Sequence, residues 1–390
     1  MKKIFILLAS ALCLVGVGSA SAQSLTSYFM EGTYFRTQLN PALTTTRGYF
    51  NMPVMSGTGV NVVNNFLSVD NFIYQRDGQL VTALHNSVSP NEFLSRLPDV
   101  NRLNANINTN ILSVAFYTKK IYWNLGVNAR VDANVNLSKD IFSVLKTLGN
   151  GTYDLKDTSI DANAYLETYL GTSFRVCDWI NIGLRFKFLV GLANAHTDID
   201  QMRAVVSPDG VSAQLRGVVR GNAIFVDQSR VKPGEEIDGE FFNFSSVDYM
   251  LNNVKSYGVA LDLGAEFRLL NDHLKLSAAI TDLGVIKWSP KTHIVAEAKG
   301  EFGFNGYNVS ADELDMTSEF EFVQGAKQTK GYSTMLTYAV NLGAEYNILR
   351  NKIAFGLLAH SKFNGGHLYT ELTASVNFRP LNWITATVSH

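Results

Sequence analysis

Residues 121–135 read Ile121-Tyr122-Trp123-Asn124-Leu125-Gly126-Val127-Asn128-Ala129-Arg130-Val131-Asp132-Ala133-Asn134-Val135, an alternation without a break. Odd-numbered positions are apolar, and the residues between them are mostly polar or small. Side chains of a strand point to opposite faces with period two, so this segment is a strand with one oily and one wet face. Strands of soluble domains usually run about 5–6 residues. A strand that crosses a bilayer needs about 9–11, because it is tilted through the hydrocarbon. The length of this run therefore predicts the wall of a membrane barrel.

The same pattern recurs along the chain. Ile180, Ile182, Leu184, Phe186, Phe188, Val190 and Leu192 share a face, opposite Asn181, Arg185 and Lys187. Tyr257, Val259, Leu261, Leu263, Ala265, Phe267 and Leu269 oppose Ser256, Asp262, Glu266 and Arg268. Leu336, Tyr338, Val340, Leu342, Ala344 and Tyr346 oppose Thr337, Asn341 and Glu345. Short polar turns near residues 118–120, 177–179, 270–273, 349–352 and 379–382 each follow an aromatic and precede an aliphatic. The repeating unit is a hairpin.

Connections at the opposite end are long. Residues 136–158, 198–255 and 288–331 are polar and rich in Gly, Asp and Asn. Short turns on the periplasmic side and long loops outside are the asymmetry of outer-membrane barrels. Within these loops, Ser138 to Leu148, Ser89 to Leu97 and Val247 to Val254 have capping residues and helical spacing. Each piece is either a cap over the mouth or a functional lid.

Lys2 and Lys3 precede an apolar run from Ile4 to Val17, and Ala20-Ser21-Ala22 supplies a cleavage site before Gln23. Residues 1–22 thus read as an export signal. Leu12 ahead of Cys13 is too large for a lipoprotein signal. Cys177 is then the one cysteine of the mature chain, and it has no internal disulfide partner. No later segment holds 18 consecutive apolar residues, so spanning helices are not expected. Charged residues make up 17% of the chain, below the roughly 25% of soluble domains. A net charge of −1 gives no basic field for nucleic acid.

The alternating runs fall near 57–70, 103–117, 121–136, 159–175, 180–197, 256–269, 274–287, 332–347, 353–362, 367–378 and from 384 onward. That is eleven. Single-chain barrels use even numbers, because an unpaired edge in lipid leaves backbone groups unsatisfied. The expectation is an all-β, transmembrane antiparallel β-barrel of about fourteen strands in full length, with the last strands absent from this chain. Residues 57–390 belong to that barrel and residues 23–56 to an N-terminal lumenal segment. Tyr117, Tyr122, Trp123, Trp179, Tyr346, Phe378 and Trp383 gather at the short-turn ends. Amphipathic rings settle at headgroup level, so these seven are assigned to an aromatic girdle.

Ahead of the first strand stands Arg36-Thr37-Gln38-Leu39-Asn40-Pro41-Ala42-Leu43. Its Asn-Pro-Ala core resembles the N-terminal motif of the FadL-like outer-membrane transporters of hydrophobic compounds, relatives of the long-chain fatty-acid channel. Further on, Thr281-Asp282-Leu283-Gly284-Val285-Ile286-Lys287-Trp288 resembles a strand-end motif in a Bacteroidota outer-membrane family of unknown function. The first resemblance implies fourteen strands around an N-terminal hatch. Asn40, Pro41 and Ala42 would lie in that hatch, with Pro41 fixing a turn and Asn40 bonding local backbone. The alternative for these three residues is a plain turn.

No H-E-x-x-H, C-x-x-C, G-x-S-x-G or Walker sequence occurs. His85, His196, His273, His293 and His360 lie far apart, and the neighbours His360 and Ser361 would point to opposite faces of a strand. Neither an enzyme, a cofactor nor a metal is expected. The polar faces are the better place for function. Asn124, Asn128, Arg130, Asp132 and Asn134 face the lumen from one strand, and Glu167, Arg185, Lys187, Asp262, Glu266 and Arg268 from others. Both charge signs occur, so no ion filter is indicated. These residues form either a network that holds the hatch or a simple solvated interior. By resemblance, the expected function is passive uptake of a hydrophobic or amphipathic small molecule across outer-membrane lipid. The competing class is a surface scaffold or accessory subunit that meets a protein partner through loops 198–255 and 288–331.

Overall fold

The computed structural model describes residues 25–52, 58–147, 151–207, 210–235, 241–308, 313–325, 327–349, 351–364, 367–381 and 384–389. The expected export signal therefore lies outside the described residues. Alternation becomes sheet almost everywhere it was read. The first edge consists of β1 (Tyr49–Asn51) and β2 (Thr58–Asn64), followed by a small loop hairpin, β3 (Ile73–Arg76) and β4 (Gln79–Thr82). Then come β5 (Val100–Thr118), β6 (Ile121–Ser138), the short β7 (Gly151–Asp154), β8 (Ser159–Cys177) and β9 (Ile180–Ser207). After β10 (Gly210–Ala223) follow β11 (Ser256–Leu269) and β12 (Leu274–Trp288). β13 (His293–Asn308) and β14 (Glu313–Gln324) precede β15 (Tyr332–Met335), β16 (Tyr338–Ile348), β17 (Ile353–Asn364), β18 (His367–Leu381) and β19 (Ile384–Ser389).

The wall is a chain of antiparallel ladders. β1 and β2 pair with β5, then β5 with β6, β6 with β8, β8 with β9 and β9 with β11. β11 pairs with β12, which takes both β15 and β16, and the series ends β16–β17–β18–β19. Inward side chains from opposite ends of this series meet. Lys362 on β17 donates to Asn104 Oδ1 on β5 at 3.3 Å, and Glu371 on β18 is hydrogen-bonded to Asn61 on β2. The sheet is rolled into a barrel.

Burial is inverted relative to a water-soluble protein. Phe186, Leu342 and Leu357 are more than 50% exposed on the outside, whereas Glu167, Arg185, Lys187 and Asp262 are 2% exposed or less inside. Charged groups are almost never fully buried without partners, and a continuous apolar exterior marks an interaction surface. Hydrocarbon outside and polar contacts inside account for both. Among the described residues no helix is long and apolar enough to cross a membrane. Aromatic pairs bound the apolar band on β9 and β11. Trp179 lies against Phe267 with centroids 6.4 Å apart, and Phe188 stacks on Tyr257 at 5.9 Å. Residues 257–267 run about 34 Å along the strand, which a tilt near 45° reduces to the ~25 Å of a bilayer's apolar band.

Three boundaries differ from the sequence reading. Strand pairing starts at Tyr49 rather than 57, so part of segment 23–56 already belongs to the wall. The first strand stops at Asn64, not 70, because the Asn64 side chain accepts from the Phe66 and Leu67 amides and turns the chain. And β9 runs for 28 residues: its far part pairs with β10, β10 with β13, and β13 with β14. That sheet stands roughly 45 Å along the strand beyond the apolar band. Helices are short: α1 (Phe35–Leu39), α2 (Val69–Phe72), α3 (Pro90–Leu94), α4 (Lys139–Thr147) and α5 (Val247–Asn252). The last three are the loop helices that capping residues announced. Phe142 of α4 joins Phe66, Phe72 and Phe93 in a small core of the loop between β2 and β5.

Candidate functional site in the barrel lumen

Residues 25–47 lie inside the barrel. Leu25, Tyr28, Phe29 and Leu43 form a small apolar core with Leu358, an inward residue of β17. Asn40 and Ala42 are wholly buried. The Asn40 carboxamide makes a local turn, accepting from the Ala42 amide at 2.9 Å, as an Asx turn does. It also donates to Tyr28 Oη at 3.2 Å and to the wall carbonyls of Ala265 and Ala278, each at 3.4 Å. Asn181 and Ser173 donate to the Ala42 carbonyl, at 2.5 and 3.4 Å. Asn341 donates to the Leu39 carbonyl at 2.7 Å.

Wall glycines make room for this segment. Gly183 and Gly264 are direct partners across β9 and β11. A Cβ at Gly183 would come within 2.1 Å of the Pro41 carbonyl carbon, and one at Gly264 within 2.0 Å of Asn40 Oδ1. Only glycine lets the two backbones approach this closely.

Above the Asn-Pro-Ala turn sits a cluster of buried charges. Arg130 spans Glu167 (2.9 Å) and both oxygens of Asp282 (2.9 and 3.1 Å). Lys187 meets Asp282 at 2.6 Å, Asp262 at 2.9 Å and Glu167 at 3.7 Å. Arg185 stands 3.7 Å from Asp262, donates to Asn124 Oδ1 at 3.1 Å and reaches Thr37 Oγ1 of the N-terminal segment at 3.1 Å. Asn128 donates to Glu167 at 3.0 Å, and Tyr165 Oη donates to Asp132 at 3.1 Å. Three cations thus face three carboxylates, and neutral donors add to them, Asn128 at Glu167 and the Asp282 amide at Asp262 Oδ1, which helps keep such a cluster tolerable in a dry interior.

Asp282 was not among the expected site residues. It adopts φ of +62° in a bulge where the β11–β12 register shifts between Leu261 and Leu263. The extra residue re-aims its side chain inward. The signal was present in the sequence as a phase fault, since Thr281 and Asp282 are consecutive polar residues in an alternating run.

A second cluster lies at the short-turn end. Glu31 of the N-terminal segment meets Lys275 at 2.7 Å and Arg379 at 3.9 Å. Arg379 also pairs with Glu345 at 2.8 Å and donates to the Phe29 carbonyl at 2.8 Å. Burial would raise the Glu31 carboxyl, but Lys275, Arg379 and Arg36 together outweigh it and hold it down to about 2. Nothing in the alternation singled out these residues: Lys275, Glu345 and Arg379 are inward polar side chains among many, and Glu31 lies ahead of the strands.

Asn134 accepts from Asn104 at 2.6 Å, apart from the charge cluster. Glu266 and Arg268 pair with each other at 2.8 Å near the short turns. Trp179, Tyr346 and Phe378 are about half exposed on the outer face, and Trp123 is half-buried there. Tyr122 differs from its girdle assignment. It is 1% exposed, shares the face of Asn124, and its hydroxyl lies 3.0 Å from Thr45 Oγ1. Tyr117 is its cross-strand partner, and its hydroxyl bonds the Thr45 carbonyl. The period-two rule that made the wall puts both phenols inside. Trp383 lies outside the described residues.

Among the described residues, cavities lie along the barrel axis. At the short-turn end, about 320 Å³ is bounded by Glu31, Arg268, Lys275 and Tyr117. Over the N-terminal segment, about 100 Å³ lies between Gln38, Leu39, Arg130, Asp282 and His360. Toward the long loops, about 940 Å³ opens beside the step from β15 to β16, among Asn163, Asn194, His293, Met335, Phe363 and Leu368.

No curated protein matches the chain. Among solved structures, it is similar to the toluene transporter TbuX of Ralstonia pickettii, at 14% identity over 86% of this chain and 70% of that one, with a TM-score of 0.32. It is also similar to the ferric-catecholate import receptor Fiu of Escherichia coli K12, at 11% identity over 83% and 53%, with a TM-score of 0.19. The alcaligin outer-membrane receptor FauA of Bordetella pertussis matches at 9% identity over 74% and 51%, with a TM-score of 0.16. The family of unknown function DUF5723 matches residues 41–390, nearly the whole of the described barrel, and the chain belongs to that family.

Proposed function

We propose that this protein, exported by its N-terminal signal, resides in the outer membrane of a Gram-negative bacterium. There it passes a hydrophobic or amphipathic small molecule inward, with residues 25–47 as a movable plug. The supporting observation is the 940 Å³ cavity beside the step from β15 to β16. Met335 and Leu368 line it and are also 65% and 56% exposed on the outer wall, so a molecule dissolved among lipid chains has a sideways entrance. Leu336, Tyr338 and Phe363 extend the apolar lining, and the rest is polar, with Asn163, Asn194 and His293 beside the charged Asp161, Arg220 and Lys330. An apolar wall beside polar groups that fix orientation suits a small amphipathic molecule. Below it, the smaller cavity touches Gln38 and Leu39, so a ligand moving down would bear on the plug.

The competing reading is a surface scaffold, favoured by the long sheet of β9, β10, β13 and β14 above the barrel. Mass spectrometry of organic extracts separates the two. Uptake predicts a small molecule enriched with the purified barrel and lost at least tenfold in Met335→Glu/Leu368→Glu. A scaffold carries none, and absence of any enriched molecule in wild type rejects the uptake reading.

A further inference from the structure

The lipid-facing band ends, toward the long loops, at the stacked pair Phe188 and Tyr257. The chain just before Tyr257 does not turn polar there. Residues 241–254 read Phe-Phe-Asn-Phe-Ser-Ser-Val-Asp-Tyr-Met-Leu-Asn-Asn-Val, with Asp248 their one charge. Phe244, Val247 and Leu251 are 65%, 65% and 62% exposed. Val247 and Leu251 stand four residues apart in α5 and so share a face. The helix is held in place from other positions: Ser246 Oγ caps it by accepting from the Tyr249 amide at 3.0 Å, and Tyr249 Oη donates to the Val226 carbonyl at 3.2 Å. Phe244 stacks on Phe225 at 4.8 Å. The far end is tied to the top of the band, where Tyr257 Oη donates to the Val254 carbonyl at 2.9 Å. Elsewhere the same loop has an ordinary solvated surface, with Asp227 paired to Arg230 and Lys232 to Glu235.

We infer that residues 241–254 lie in the outer headgroup region of the bilayer and take outer-leaflet lipid as their partner. The exposed apolar groups begin where the lipid-facing wall ends, and they continue it. Sparse charge and an apolar helix face suit the boundary between headgroups and acyl chains. A patch meant for a protein partner would gain reach on the sheet that rises further out; this one stays at the rim. The inference requires the barrel's lipid face and is independent of whether any molecule is taken up.

Nitroxide labels report the depth. In a Cys177→Ser background, Phe244→Cys and Leu251→Cys are labelled, with Leu357→Cys as the lipid-facing reference and Ser229→Cys as the wet one. The proteins are reconstituted in phosphatidylcholine/phosphatidylglycerol vesicles. Collision with oxygen, which concentrates in lipid, should exceed collision with a water-soluble nickel chelate at 244 and 251, as at 357. At 229 the order should reverse. Labels at 244 and 251 that behave like 229, or that are shielded from both reagents by protein, overturn the inference. Val247→Cys reads the same helix face if Leu251→Cys does not fold.

Discussion

Glu31 is the carboxylate through which the plug is latched to the wall, and replacing it by glutamine isolates that contribution. Its carboxyl lies at about 2 instead of the ordinary 4.5, with Lys275 at 2.7 Å and a side chain 22% exposed. A gap of that size corresponds to about 3 kcal/mol between the charged and neutral forms. Some relaxation in Glu31→Gln leaves about 2–3 kcal/mol lost from plug docking, which should speed exchange of the plug amides roughly 30- to 150-fold. Because the carboxyl is held down in the docked state, its contribution is complete above pH 4.5 and disappears as pH falls from there toward 2. Hydrogen exchange of peptides covering residues 25–47 should therefore show a step in that window in wild type and none in Glu31→Gln. Equal protection of the two proteins at neutral pH refutes the latch.

Two further substitutions probe the lumen. Gly183→Val should expel the plug, since even a Cβ would stand 2.1 Å from the Pro41 carbonyl carbon; overpacking of this kind costs about 1–3 kcal/mol. Gly32→Ala, with open space around it, is the control that should leave exchange unchanged. Arg130→Leu takes the donor from Asp282 Oδ2 and one cation from Glu167, and breaking a buried pair on one side costs about 3–5 kcal/mol, an upper figure here because Lys187 stays beside both carboxylates. The temperature at which the folded band converts to the unfolded one on a gel should drop. An unchanged temperature means that the lumen is simply wet.

Most of the barrel is legible because one rule, alternation, writes the wall. It put Asn124, Asn128, Arg130 and Asp132 on the inner face of β6 and Leu125 and Val131 on the outer. Where another force competes, the rule fails. At Asn64 a side-chain bond to the next amides ends the strand early. At Asp282 a left-handed backbone breaks the phase, so a carboxylate central to the cluster was not assigned to it. Tyr122 was placed by its kind, as an interfacial ring, although its even position puts it inside with Thr45. The plug's contacts were only half visible. Asn-Pro-Ala suggested a turn, but its reception by Gly183 and Gly264 is a pairing across strands that no local pattern announces. Glu31, Lys275, Arg379 and Glu345 come from four distant places in the chain and meet only when the sheet rolls up.

Hydrocarbon lying against the outer face is what gives the strands their alternation. Leu342 is 54% exposed and four residues from Tyr346, about 13 Å along the strand, which a tilt near 45° makes about 9 Å into the band. Reversible folding into vesicles should show Leu342→Arg less stable by about 2–4 kcal/mol, while Val176→Arg, beside a short turn, costs about 0–1 kcal/mol. If both arginines fell within about 0.5 kcal/mol of wild type, as exposed sites in water do, the outer face would be wet and the protein would not be a membrane barrel.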